Sequence, residues 1–232
     1  MIPIKDNIRS WSFPLVNWLL IAANAVVFFY EIRLSPAGLE QFFSHFALIP
    51  AQLQLTNPLT YPPLFTHMFL HGGWLHILSN MWILYIFGDN VEDRLGSFRY
   101  LLFYLLGGLA AGLLQAQINP NSPVPLVGAS GAIAAVLGAY FLYYPAAKVI
   151  TFVPIFFFGW FIEVSAYIYL GFWFLTQLYP GLTSINAASG ANAGGIAWWA
   201  HIGGFLFGLL LARPFAARKP RQVTYPDQYW PW

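Results

Sequence analysis

Six apolar stretches, each near the length of a bilayer-spanning helix, follow one another along this chain, and its charged residues lie almost wholly between them. They run at about 13–31, 67–87, 98–117, 128–144, 162–179 and 197–212, against the roughly 20 apolar residues that a spanning helix needs. Of the whole chain 59% is hydrophobic and 8% charged, too little charge to clothe a water-facing surface. The expected fold class is an all-α membrane protein, a bundle of six transmembrane helices. The fourth and sixth stretches are short, which sets their outer ends beneath the membrane surface. Between the fourth and the fifth, "VITFVPIFFFGWF" is apolar but broken by Pro154 and Gly159; it either extends the fifth helix or lies at the interface.

The basic residues orient the bundle. Lys5 and Arg9 precede the first stretch, Arg94 and Arg99 follow the second, Lys148 follows the fourth, and Arg213, Arg218, Lys219 and Arg221 follow the sixth. With alternating spans, nine of the ten Lys and Arg residues fall on one side, Arg33 being the exception. The positive-inside rule makes that side cytoplasmic, with both termini there. No small-residue cleavage site follows the first apolar run, so the first helix is expected to be retained. The segment 32–66 is too broken by proline to span, and "LEQFFSHFALIP" offers it a short amphipathic helix. It is expected to be a structured outer loop lying in the interface between the first and second spans. No linker separates a second domain, so residues 1–232 read as one domain, with a core at about 13–212 and a cytoplasmic tail at 213–232. A net charge of +2 gives no footing for nucleic acid, and a chain without cysteine has neither disulfides nor a thiolate nucleophile.

Polar groups gather at one depth. The second, fourth and sixth spans all enter from outside, so residues a few positions into each share a level. The second brings His67, His71, His76 and Asn80, the fourth Ser130 and the sixth His201. Polar side chains at such positions face the protein interior or a water-filled cavity. Ser130 needs a base to become a nucleophile, and His201 is one. No carboxylate lies on an outer half-helix beside His201, Glu163 being at the inner part or start of the fifth span, so the pair would be a dyad. Ser130 stands at a helix N-terminus, where backbone N–H groups are unpaired. His76 and Asn80, four residues apart, share one helix face and can aim donors at one point. Gly128 and Gly131 allow close backbone approach beside the serine. Gly204 and Gly208 form a GxxxG pair that can pack on the row Ser130, Ala134, Gly138. Taken singly, Ser130 is as well a packing residue, and His201 or the His76–Asn80 pair as well structural. His67 and His71 have helical spacing, but no carboxylate or cysteine joins them, so neither a metal nor any other cofactor is expected.

Together these residues resemble the rhomboid intramembrane serine proteases. Five segments carry the resemblance, in the family's order and over about 65–212: "FTHMFLHGGWLHILSN", "VEDRLG", "GASGAI", "FWFLTQL" and "AHIGGFLFG". The resemblance, to the prokaryotic six-helix type, implies a multi-pass protein of the cell (inner) membrane that cleaves transmembrane protein substrates near its outer face. It implies Ser130 as nucleophile, His201 as general base, and His76, Asn80 and Ser130 as the oxyanion hole. Gly128, Gly131 and Gly204 would support the site, His71 the outer loop, and Glu92 with Arg94 the cytoplasmic turn. The fifth helix and the outer cap at 180–196 would form the lateral gate, with Trp173 and Phe174 facing the second helix. Two departures stand out: "TYPPLF" replaces a Trp-Arg pair before the first histidine motif, and Ala134 replaces an aromatic that would pack on His201. Trp198, Trp199 or a neighbouring span is then expected to hold that histidine. Two other functions compete: an inactive rhomboid relative that binds client proteins, and a small transporter, which would need midplane charges that are missing here.

Overall fold

The structure, a computed structural model, describes residues 1–54, 56–155, 158–185 and 196–217. It is mostly helical, and six helices follow the six apolar stretches: α1 (Leu15–Glu31), α4 (Trp74–Leu95), α5 (Ser97–Ile118), α6 (Ser130–Tyr143), α7 (Ala166–Ile185) and α8 (Trp198–Phe215). Among the described residues, α5 alone is long and apolar enough to cross a membrane by length and composition, while α1 and α6 are apolar but shorter. At 14 residues α6 reaches about 21 Å, short of a hydrocarbon core of about 30 Å.

Two expected boundaries shift. The second helix starts at Trp74, after Gly72 and Gly73, so His67 lies in a 3₁₀ turn and His71 in the connection rather than on the helix. The fifth starts at Ala166 rather than near 162, because the residues before it are strand.

That strand corrects the all-α expectation. β1 (Ile2–Asp6), β2 (Lys148–Ile155) and β3 (Phe158–Ser165) form an antiparallel sheet in the order β1-β2-β3. The run "VITFVPIFFFGWF" is rich in β-branched and aromatic residues, which suit a pleated strand, and the N-terminal segment supplies the pairing partner that turns it from helix. Ile2 pairs with Phe152 and Lys148 with Ser165. The sheet is fastened to the helices: the Trp82 indole donates to Pro3 O at 2.7 Å, and the Asp6 carboxylate accepts from Asn90 Nδ2 at 3.0 Å and from the Tyr140 hydroxyl.

The middle of the fold is α6, buried from Gly131 to Tyr140. Its alanines and glycines let neighbours approach from several sides. Against it lies α8 at backbone distance: a Cβ on Gly204 would overlap Gly131 O, one on Gly208 would overlap Ala135 O, and one on Gly138 would overlap Phe205 O. The expected small-residue packing is present, with Gly131 and Ala135 joining the row.

The segment between α1 and α4 carries short helices among its described residues. It contains α2 (Pro36–Phe46) and the single turn α3 (Pro63–Thr66). Leu48 and Leu126 exchange backbone hydrogen bonds at 3.1 and 2.8 Å, tying it to the connection before α6. Thr66 Oγ1 donates to Phe46 O at 2.6 Å and the His67 ring binds Pro63 O at 2.8 Å, so "TYPPLF" is anchored without a Trp-Arg pair. At the end of the molecule where α4 turns into α5, Glu92 accepts from Val16 N at 3.1 Å, Asn17 N at 2.7 Å and Ser97 Oγ at 2.6 Å, so it caps α1 as well as holding the α4–α5 turn. Arg94 lies over the Tyr143 ring, 5.1 Å from its centroid.

Candidate active site

Ser130 is the first residue of α6, and the first intrahelical bond after it is Ile133 N to Ala129 O at 2.9 Å. The N–H groups of that first turn, which no helical carbonyl can receive, therefore surround the serine. His201 is in the first turn of α8, where the glycine seam brings α8 onto α6. Its Nε2 lies 2.9 Å from Ser130 Oγ. Both residues are half-buried and border a cavity of about 410 Å³, walled by α4 on one side and by the connections before α6 and α8, which include Val124 and Ala197. The volume suits a short peptide segment with water.

His76 and Asn80 line the same cavity. Asn80 Nδ2 donates to His71 Nε2 at 3.0 Å, which leaves its second amide hydrogen for the cavity. The His76 ring meets the His71 ring edge-on, with centroids 5.0 Å apart. Gly128 has φ +119°, and a Cβ there would stand 2.6 Å from His76 Nε2 and 3.6 Å from Asn80 Nδ2. Only glycine both takes that conformation readily and leaves the histidine its place. A Cβ on Gly131 would come 2.6 Å from the Ala111 Cβ. The site's glycines thus bring α5, α6 and α8 together around the serine.

The His71 N–H lies 3.2 Å from each carboxylate oxygen of Glu31, the last residue of α1, and the His71 ring reaches the site through Asn80.

Of the expected holders of His201, the neighbouring span takes the role. The Trp198 ring stands 6.4 Å from its imidazole, edge-on, and the imidazole Nδ1 is hydrogen-bonded to Gln177 Oε1, the acceptor, on α7 at 2.7 Å. Ala134 fits for a steric reason: a Cβ added at Gly204 would already lie 3.1 Å from its methyl, so the backbone seam leaves no room for an aromatic. Gln115 of α5 also escaped the sequence reading; its Oε1 accepts from Ala200 N at 3.2 Å and so caps the start of α8. The signal for both glutamines was an amide inside an apolar stretch, which is costly unless partnered.

The expected facing of Trp173 and Phe174 is corrected. They face α8 rather than α4: Phe174 stacks on Phe205 at 4.6 Å, and Trp173 lies 6.0 Å from both Phe205 and His201. Tyr169 of α7 does reach α4, stacked on Phe87 at 6.5 Å. The outer cap lies largely outside the described residues, as does the tail from 218 onward. No group of three metal-ligating side chains occurs among the described residues.

A family model, the Rhomboid domain, matches residues 59–218, more than half of the chain and the whole of this site. The chain belongs to the rhomboid family. RHOMBOID-like protein 1 of Arabidopsis thaliana is 32% identical over 165 residues, covering 71% of this chain and 36% of that protein. The mitochondrial presenilin-associated rhomboid-like protein of Mus musculus is 28% identical over 200 residues, 82% of this chain and 46% of the mouse protein. Rhomboid-like protease 5 of Toxoplasma gondii is 40% identical over 79 residues, 31% of this chain and 8% of that protein. The chain matches less than half the length of each of these relatives. Family membership and the helical fold together make it a multi-pass integral membrane protein.

Proposed function

We propose that this rhomboid is an intramembrane serine endopeptidase that cuts transmembrane protein substrates near the outer membrane face. The observation that carries the reading is the 2.9 Å contact between His201 Nε2 and Ser130 Oγ at the edge of a cavity that His76 and Asn80 also line. In the proposed reaction His201 Nε2 takes the hydroxyl proton as Ser130 Oγ bonds to the scissile carbonyl carbon. N–H groups of His76, Asn80 and the first turn of α6 receive the oxyanion. The imidazolium then protonates the leaving amine, and water, activated in the same way, releases the acyl group.

The six helices α1 and α4 to α8 span the bilayer in this reading, with both termini and the sheet on the cytoplasmic side. The chain forms one domain, and a substrate helix enters from lipid between α4 and α7. The protein reconstituted with a model transmembrane substrate yields two fragments, and Ser130→Ala yields none while remaining folded. Undiminished cleavage by Ser130→Ala would remove the reading. His76→Ala and Asn80→Ala lower kcat by about two to three orders of magnitude with little change in KM, because these donors act on charge that appears only in the transition state.

A further inference from the structure

We propose that Gln177 is the positioning residue of the site, setting the tautomer and orientation of His201 from the neighbouring helix. The inference rests on the protease reading above and deepens it by supplying what no carboxylate among the described residues does here. Gln177 is 7% exposed and its amide is held at both ends. Its Nε2 lies 3.3 Å from Trp173 O and 3.0 Å from Thr176 Oγ1, and Thr176 Oγ1 itself donates to Trp173 O at 2.6 Å. A backbone carbonyl only accepts, so the NH₂ end of the amide belongs on that side and Oε1 faces His201. Oε1 also only accepts, so the hydrogen of the neutral imidazole sits on Nδ1. That leaves the Nε2 lone pair for the Ser130 hydroxyl 2.9 Å away. The direction of every bond from the Trp173 carbonyl to the serine is thereby fixed.

A neutral amide suits this depth, where a carboxylate would be a costly charge. It also joins α7 to the chemistry. Ser130 and His201 are set on each other by α6 and α8, but the acceptor that fixes the imidazole is on α7. Displacing α7 from α8 removes it.

Two variants test this, each read by the rate at which a fluorophosphonate labels Ser130 and by the pH dependence of kcat/KM on a soluble peptide. Gln177→Leu removes the acceptor. It is expected to slow labelling by at least about tenfold, within the about ten-thousandfold that a reversed tautomer costs, and to lower kcat with KM unchanged. Gln177→Glu keeps an acceptor and adds charge. The introduced carboxylate stabilises the imidazolium, so the acid limb of kcat/KM moves to higher pH by about one to three units. A merely structural glutamine moves neither the acid limb nor the kcat-against-KM split. An acid limb unmoved in Gln177→Glu overturns the role, and does so even if Gln177→Leu fails to fold. Wild-type protein whose Ser130 takes no label overturns instead the protease reading beneath it.

Discussion

Two helix contacts meet at His201, and they are built differently. Where α8 lies on α6, glycine removes the side chains and backbone touches backbone, with Gly204 on Gly131 O and Gly208 on Ala135 O. Where α8 lies on α7, rings fill the gap, Phe174 on Phe205 and Trp173 beside His201, and a single amide crosses to the imidazole. The first contact has one separation, because a backbone carbonyl cannot move aside. The second can slide, since side chains repack. The difference teaches a division of labour: the glycine seam fixes how far Ser130 is from His201, and the aromatic seam with Gln177 fixes which way His201 points.

The largest effect should come from breaking the first contact. Gly204→Val places a side chain where Gly131 O already is, and overpacking of this kind costs about 1–3 kcal/mol or more. The variant should lose its thermal transition in detergent, or much of its melting temperature, and all activity with it. Gly171→Ala on α7 is the matched control. A Cβ there meets only Phe141 Cε2 at 3.7 Å, an ordinary contact, and alanine favours helix over glycine by about 1 kcal/mol. Equal damage from the two substitutions would erase the distinction between the seams.

Loosening α7 should have intermediate effects of opposite sign on its two sides. Phe174→Ala weakens the hold on α8 and should slow cleavage of membrane-embedded and soluble substrates alike, because it frees the helix that carries Gln177. Tyr169→Ala removes the ring stacked on Phe87 of α4. It should speed cleavage of membrane-embedded substrates while leaving soluble peptides nearly unchanged, since these need no opening toward lipid. Acceleration in Phe174→Ala and none in Tyr169→Ala would return the gate to the residues expected from sequence.

The contrast also explains what the sequence made legible. The glycine seam, Ser130, His76 and Asn80 were readable because each is carried by a local pattern (GxxxG, a serine among small residues, or an i, i+4 pair), and His201 because it stands a few positions into a short apolar stretch. Gln177 and the facing of Trp173 and Phe174 were not, because they depend on the rotation of α7 about its axis, and an apolar helix surrounded by apolar neighbours leaves no polar stripe from which to read that rotation. The sheet was hidden for another reason. Its strand β1 pairs with a segment more than 140 residues away, and an apolar run containing one proline and one glycine does not declare its period.

The smallest effect lies farthest from the site, at the strand that fastens the sheet to α4 and α6. Burial pushes the Asp6 carboxyl up from the usual carboxylate range to about 7, with the nearby Asp89 adding to the rise and the Tyr140 hydroxyl opposing it. A carboxyl raised on folding favours the folded state while it stays protonated. The docking of β1 should therefore be strongest below about pH 4 and weaken as pH rises to about 7. Limited proteolysis of the N-terminal segment across that range should show increasing cleavage, and Asp6→Asn should flatten the trend. The seams around His201 should be untouched by either. A pH trend that survives Asp6→Asn would assign it to another group.

The claim on which the rest depends is that the seam of α6 and α8 makes Ser130 a nucleophile through His201. The most direct measurement is mass-spectrometric mapping of the adduct formed by a serine-reactive fluorophosphonate on the purified, folded protein. The account predicts one adduct, on Ser130, that disappears in Ser130→Ala and forms far more slowly in His201→Ala with the fold retained. An adduct on any other serine, or equal labelling of Ser130 with and without His201, would contradict it.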